Sequence, residues 1–143
     1  MSKKVTERQR NFLQRWSVQV PPTLKAASTL IGFIKSGNGT VGKTQEERVK
    51  ILRSAQDHLI GKTVQIRGDE QSGKGRVLYL LALTPEQVME ENRDRRMEGQ
   101  HYSVGAFEAV VSWKESDGSH CGRFLKIGLL KVDSSSDPVK EVD

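Results

Sequence analysis

Apolar residues recur at spacings of three and four along the first part of the chain, and after Gly61 the spacing changes to alternation. In "VTERQRNFLQRW" Phe12, Leu13 and Trp16 share one helical face. Thr6 and Gln9 stand at capping-box spacing, so each side chain can satisfy an orphan amide of the first turn. Pro21 and Pro22 lack amide donors and bias Val20 toward an extended backbone, which predicts a helix stop near Trp16 or Ser17. "TLKAASTLIGFIK" sets Leu24, Ala27, Leu30, Ile31 and Ile34 on one stripe behind a Thr23 cap, and the glycine-rich "SGNGTVGK" ends it. "TQEERVKILRSAQDHLIG" repeats the device, with Thr44 and Glu47 as the box, Val49, Leu52, Ala55 and Leu59 as the stripe and Gly61 as the stop. Three short helices are therefore expected before Gly61.

Beyond it, "KTVQIRG" alternates Val64 and Ile66 against Thr63, Gln65 and Arg67, and "GRVLYLLAL" is an apolar run of strand length. "GDEQSGKG" at 68–75 reads as the turn between them. "TPEQVMEENRDRRMEG" opens at a Thr84 cap with Pro85 in the first helical position, which predicts a short exposed helix over 84–98. "FEAVVSWKESDGSHCGRFLKIGLLKV" holds two β-rich runs joined at "SDGS". The expected architecture is α+β, with a basic helical domain over 1–61, an antiparallel β domain over 62–132 that carries the helix 84–98, and a disordered polar tail over 133–143.

Charge divides the chain in the same place. Residues 1–67 hold 13 Lys and Arg against 4 Asp and Glu, and residues 68–143 hold 10 against 14, so the net +5 conceals halves of +9 and −4. Clustered cations gain affinity for a polyanion by releasing the counterions condensed on its phosphates. The first candidates for phosphate contact are Lys3, Lys4, Arg8, Arg10 and Arg15, which outnumber the neighbouring Glu7, followed by Lys43, Arg48, Lys50, Lys62 and Arg67. The plain alternative is a solvated basic surface, and a second is a protein-interaction subunit docking on an acidic partner.

Other chemistries find little support. No apolar run approaches the ~18–20 residues needed to cross a bilayer, and "MSKKVTERQR" has no apolar segment behind its cations, so the chain reads as cytoplasmic and off the membrane. Cys121 is the one cysteine, expected to be a small buried or half-buried thiol. With His58, His101 and His120 it makes no spacing that fits a metal site, and neither a metal nor a cofactor is expected. Trp113, beside Val111 on a strand, reads as core, and Trp16 as a helix-packing residue.

One motif argues for an enzyme. "GNGTVGKT" at 37–44 fits the phosphate-binding pattern G-x-x-x-x-G-K-[ST] through Gly37, Gly42, Lys43 and Thr44, whereas "GDEQSGKG" ends on Gly75, where the pattern needs a hydroxyl. A phosphate-binding loop also needs a buried strand before it and a helix after it. Thr44 caps a plausible helix, but "TLIGFIKS" carries helical spacing, and no apolar strand ends in the acidic residue that would hold magnesium. The stretch reads as a basic loop joining two helices, with a small nucleotide binder as the further alternative and no catalytic residue assigned.

The order "GKTVQIRGDEQSGKGRVLYL" and then "FEAVVSWKESDGSHCGRFLKIGLLKV" resembles the small SH3-like barrels of the KOW and Tudor type. The matching positions are Gly61, Val64, Ile66, Gly73, Gly75, Val77, Val111, Trp113, Asp117, Gly118, Leu129 and Leu130, within residues 61–132. "TERQRNFLQRW" with "VPPTLKAASTLIGFI" is similar to a short helical segment of phage and mobile-element proteins of DNA metabolism. The resemblance implies a partly closed SH3-like barrel with a helical insertion, and binding rather than catalysis. The expectation is a non-catalytic accessory subunit that holds DNA or RNA by backbone contacts, within a larger nucleoprotein complex that supplies a protein partner.

Overall fold

The structure is a computed structural model and describes residues 3–39, 43–90, 107–115 and 117–133. Three helices come first: α1 (Glu7–Arg15), α2 (Leu24–Ser36) and α3 (Gln45–Leu59). The strands β1 (Thr63–Ile66), β2 (Gly73–Ala82), β3 (Phe107–Glu115), β4 (His120–Lys126) and β5 (Leu130–Val132) follow. Residues 85–90 are helical, and the remainder of the helix expected over 84–98 lies outside the described residues, as does the tail from 134. The protein is thus mixed α and β, its five strands forming one open antiparallel sheet in the order β4-β3-β2-β1-β5.

The caps form as their spacing requires. Thr6 accepts from the Gln9 amide while the Gln9 side chain accepts from the Thr6 amide, and Thr44 and Glu47 make the same exchange at the start of α3. Thr23 accepts from the Ala26 amide, and Thr84 and Gln87 bond reciprocally before residues 85–90. α1 stops at Arg15, with Trp16 as its C-cap.

The buried face of α2 is wider than its stripe. Ala27, Leu30 and Ile34 face the helical core as expected, but Ala26 and Phe33 are also buried, whereas Leu24 and Ile31 are half-buried. The cause is a second neighbour, since Ala26 clusters with Leu81 and Val110 of the sheet and Phe33 meets Phe107 edge-on at 4.9 Å. Beside that small cluster of Ala26, Leu81 and Val110 stand two larger ones, one centred on α1–α3 with Ala82 and Phe107 from the strands, the other built of Val64, Val77, Leu80, Ala109, Val111, Trp113 and Leu130 with Leu59. Trp113 is fully buried in the second, and Trp16 lies against the first.

Two buried amides join these parts. Gln56, 2% exposed on α3, accepts from the Gln19 amide and donates to the Gln19 carbonyl, both at 2.9 Å. Asn38, 5% exposed, donates to the carbonyls of Thr29 and Leu83, each at 3.0 Å. Such paired donors and acceptors lower the cost of desolvating polar groups and fix where segments meet.

Candidate functional site

The structure distributes the candidate cations over several surfaces. Residues 3–5 run antiparallel to 22–24, with the Lys3 carbonyl accepting from the Leu24 amide at 2.9 Å and a bridge between Lys4 and Thr23. Lys3 and Lys4 are exposed there, and Lys3 stands with Lys25 at the rim of a groove of about 600 Å³ against the sheet. Arg8, Arg10 and Arg15 are exposed on α1. Arg15 shares a shallow groove with Lys50 and Arg53 of α3, where Glu46 and Glu47 are also found. Lys50 reaches as well toward a groove that holds His58 and Arg67. Lys62 is half-buried, its backbone joining Leu59 and Val77.

Two candidates are committed to the fold. Arg48 donates to the carbonyls of Ile34 at 3.0 and 2.8 Å, of Lys35 at 3.1 Å and of Lys43 at 2.6 Å, so its guanidinium satisfies the orphan carbonyls at the end of α2. These bonds take up most of the N–H donors that the expected phosphate contact would use. Arg67 is exposed, but its Nε donates to the Leu130 carbonyl at 3.0 Å and its amide to the Leu129 carbonyl at 2.8 Å, which ties it to β5.

The phosphate-loop pattern also finds a structural use. The residue before it ends a helix, not a strand, and Gly37 is the left-handed C-cap of α2 at φ 79°. Asn38, also left-handed at φ 47°, turns its amide inward to Thr29 and Leu83. The Thr44 hydroxyl accepts from the Glu47 amide at 3.1 Å, and the Glu47 carboxylate accepts from the Thr44 amide at 2.7 Å. A carboxylate of the chain therefore occupies the helix N-terminus that a phosphate would take. The Thr44 bonds first, then the charges of Lys43 and Lys50, hold the Glu47 carboxyl below its ordinary value, whereas its slight burial acts the other way. Lys43 is exposed, and Gly42 lies outside the described residues.

The acidic half contributes a surface that its net charge conceals. On β3 the odd positions Phe107, Ala109, Val111 and Trp113 face the core; on the other face Val110 is buried with Leu81 under Ala26 of α2, Glu108 is half-buried, and Ser112 and Lys114 are exposed. Register then aligns rows across β2, β3 and β4: Leu81–Glu108–Lys126, Tyr79–Val110–Phe124, Arg76–Ser112–Gly122 and Lys74–Lys114–His120. Phe124 is 62% exposed in the second row, and Tyr79 is half-buried. Four Lys and Arg of these rows meet one acid, Glu108, which stands opposite Lys126. Lys74 pairs with Asp133 at 2.8 Å. The groove that Lys3 and Lys25 border is lined on its sheet side by Tyr79, Leu81 and Phe124, so a first-ranked candidate of the basic half meets this face of the acidic one.

Cys121 is exposed on β4, a correction to the buried or half-buried thiol expected. Its Sγ donates to the Glu115 carboxylate at 3.3 Å, which is the main cause holding the thiol above its ordinary value. The Arg123 guanidinium stands 5.0 Å from the Trp113 ring centroid. Among the described residues no group of three or more His, Cys, Asp or Glu is arranged to hold a metal ion, and no helix is long and apolar enough to cross a membrane. No protein-family model, curated protein or solved structure matches the chain.

Proposed function

We propose that this chain is a non-catalytic nucleic-acid-binding module, an accessory part of a larger nucleoprotein assembly, that grips the phosphate backbone without reading sequence. The observation that carries the reading is the meeting of Lys3 and Lys25 with the outer face of β2–β4, where Arg76 and Lys114 are exposed. Lys74 pairs with Asp133 and Lys131 with Glu70, and the cations of α1 and of the N-terminal segment take part in neither pair. Such cations are free to replace the counterions of a polyanion, and an exposed cation contributes little to folding.

The same reading takes the β part as a partly closed SH3-like barrel. What supports it is the short path from Lys126 to Leu130, through a 3-10 turn at Ile127–Leu129, which joins opposite edges of the sheet. Four residues span at most ~14 Å, whereas four strand spacings across a flat sheet are ~19 Å. A curled sheet removes that shortfall. The test of function is direct titration of the full chain with DNA and RNA at several salt concentrations. Binding that weakens steeply with salt is expected, and absence of binding at low salt would count against the reading.

A further inference from the structure

Phe124 is a large apolar ring, 62% exposed, on the edge strand β4 of a sheet face rich in cations. It lies on β4 directly across from Val110, which in turn lies across from Tyr79 on β2. Neighbouring strands are ~4.8 Å apart, so the two rings project from positions about 10 Å apart, with Val110 between them buried under Ala26 of α2, whose N-terminal turn forms the far wall of the groove. On the next row stand Ser112 and Gly122, and a Cβ placed on Gly122 would meet nothing within 4 Å. The flank of the Phe124 ring toward Gly122 is therefore uncovered. On the other side the groove of about 600 Å³ runs to Lys3 and Lys25.

From this arrangement we infer that the outer face of β2–β4 is a stacking platform for unpaired bases, so that the module takes single-stranded nucleic acid in preference to duplex. The inference rests on the nucleic-acid reading above and names its substrate class. Every base has a π-face, and an aromatic ring on an open surface binds it by stacking without regard to sequence. A duplex cannot offer those faces, because its bases already cover one another. A single strand laid over the face sets bases on Tyr79 and Phe124 while its phosphates meet Lys3 and Lys25 on one side and Arg76 and Lys114 on the other. Charge complementarity decides the occupant, since an acidic protein would use the same cations but gains nothing specific from an exposed ring. Glu108, the acid of the face, lines the groove with Lys3 and Lys25 and stands opposite Lys126, so three cations surround it there, while Arg76 and Lys114 lie away from it.

The test uses the full chain and fluorescence anisotropy with one labelled oligonucleotide, single-stranded or annealed to its complement, as DNA and as RNA. Tighter binding of the single strand is expected. Phe124→Ala and Phe124→Leu should each weaken single-strand binding about tenfold and leave duplex binding unchanged, because stacking of one base is lost. Phe124→Trp should retain it. Gly122→Val is a second variant: its side chain enters open space and suits a strand, so folding is kept while the ring's flank is blocked. Single-strand affinity unchanged in both Phe124→Ala and Gly122→Val would overturn the platform while leaving backbone binding intact. Affinity lost in Phe124→Ala but kept in Phe124→Leu would overturn it in favour of plain apolar docking. Binding of neither single strand nor duplex would overturn the nucleic-acid reading itself.

Discussion

The side-chain amide of Asn38 donates to the Leu83 carbonyl at 3.0 Å, joining the loop after α2 to the end of β2 across 45 positions of sequence. The same nitrogen donates to the Thr29 carbonyl, and the backbone of Asn38 is left-handed, a conformation asparagine tolerates better than most residues. A Cβ on Gly32 would stand 2.7 Å from the Asn38 Oδ1, so the glycine of α2 makes room for this plug. Asn38→Ala should lower stability by about 1–3 kcal/mol, the cost of leaving a buried polar group without its partner, read as a lower denaturant midpoint at unchanged slope. A change near zero would show that the loop does not anchor the helices to the sheet.

Because the glycine-rich loop serves this junction, nucleotide should not stabilise the protein. A ligand at ~100 times its dissociation constant adds roughly 2.7 kcal/mol, which a melting curve detects easily. No rise is expected with ATP or GTP and magnesium, in the unmutated protein or in Lys43→Ala. A rise that Lys43→Ala abolishes would restore the nucleotide-binding alternative.

Local signals made the helices legible: threonine caps, stripes and stops lie within single segments, and each cap formed where its spacing placed it. Long-range pairing was not legible. Gln56 sits on the buried face of α3, at a polar position that no stripe would include, because Gln19 supplies both of its partners. The bulge between Val77 and Tyr79 shifts the alternation of β2, so the row that unites Tyr79 with Phe124 follows only from the register. Net charge misled for the same reason. It sums residues 68–143 as acidic, although Arg76 and Lys114 share a face whose acid is Glu108 alone among the described rows.

Gly75 tests the sheet core. A Cβ there would collide with Val111 Cγ1 and Trp113 Cε3, so Gly75→Ala should cost at least the ~1–3 kcal/mol of overpacking. Gly122→Ala on the outer face should be near neutral, since the space is open. Equal thermal stability of the two variants would contradict the placement of Trp113 beneath β2.

The Thr44–Glu47 cap carries a pH dependence. Hydrogen bonds from Thr44 lower the Glu47 pKa from its ordinary 4.5, so the folded state favours the carboxylate, and this contribution is complete above that value and lost as pH falls through the folded one. The stability gap between the unmutated protein and Glu47→Gln should shrink as the pH drops below about 4.5. Glu70 and Asp117, which are lowered as well, titrate in both proteins and cancel in the difference. A gap that is constant with pH would show that the charge of Glu47 plays no part in the cap.

The central claim is that exposed cations hold a nucleic-acid backbone, and its salt dependence is the most direct measure. Lys3, Lys4, Arg8, Arg10 and Arg15 are exposed and take no part in the Lys74–Asp133 or Lys131–Glu70 pair, so their neutralisation should leave the fold intact. The logarithm of the binding constant, plotted against that of salt concentration for two unrelated sequences, should fall steeply for the unmutated chain. In the neutralised variants the slope should be shallower by nearly one unit per lost contact, with the same loss on both sequences. An unchanged slope would contradict the account, as would a loss confined to one sequence.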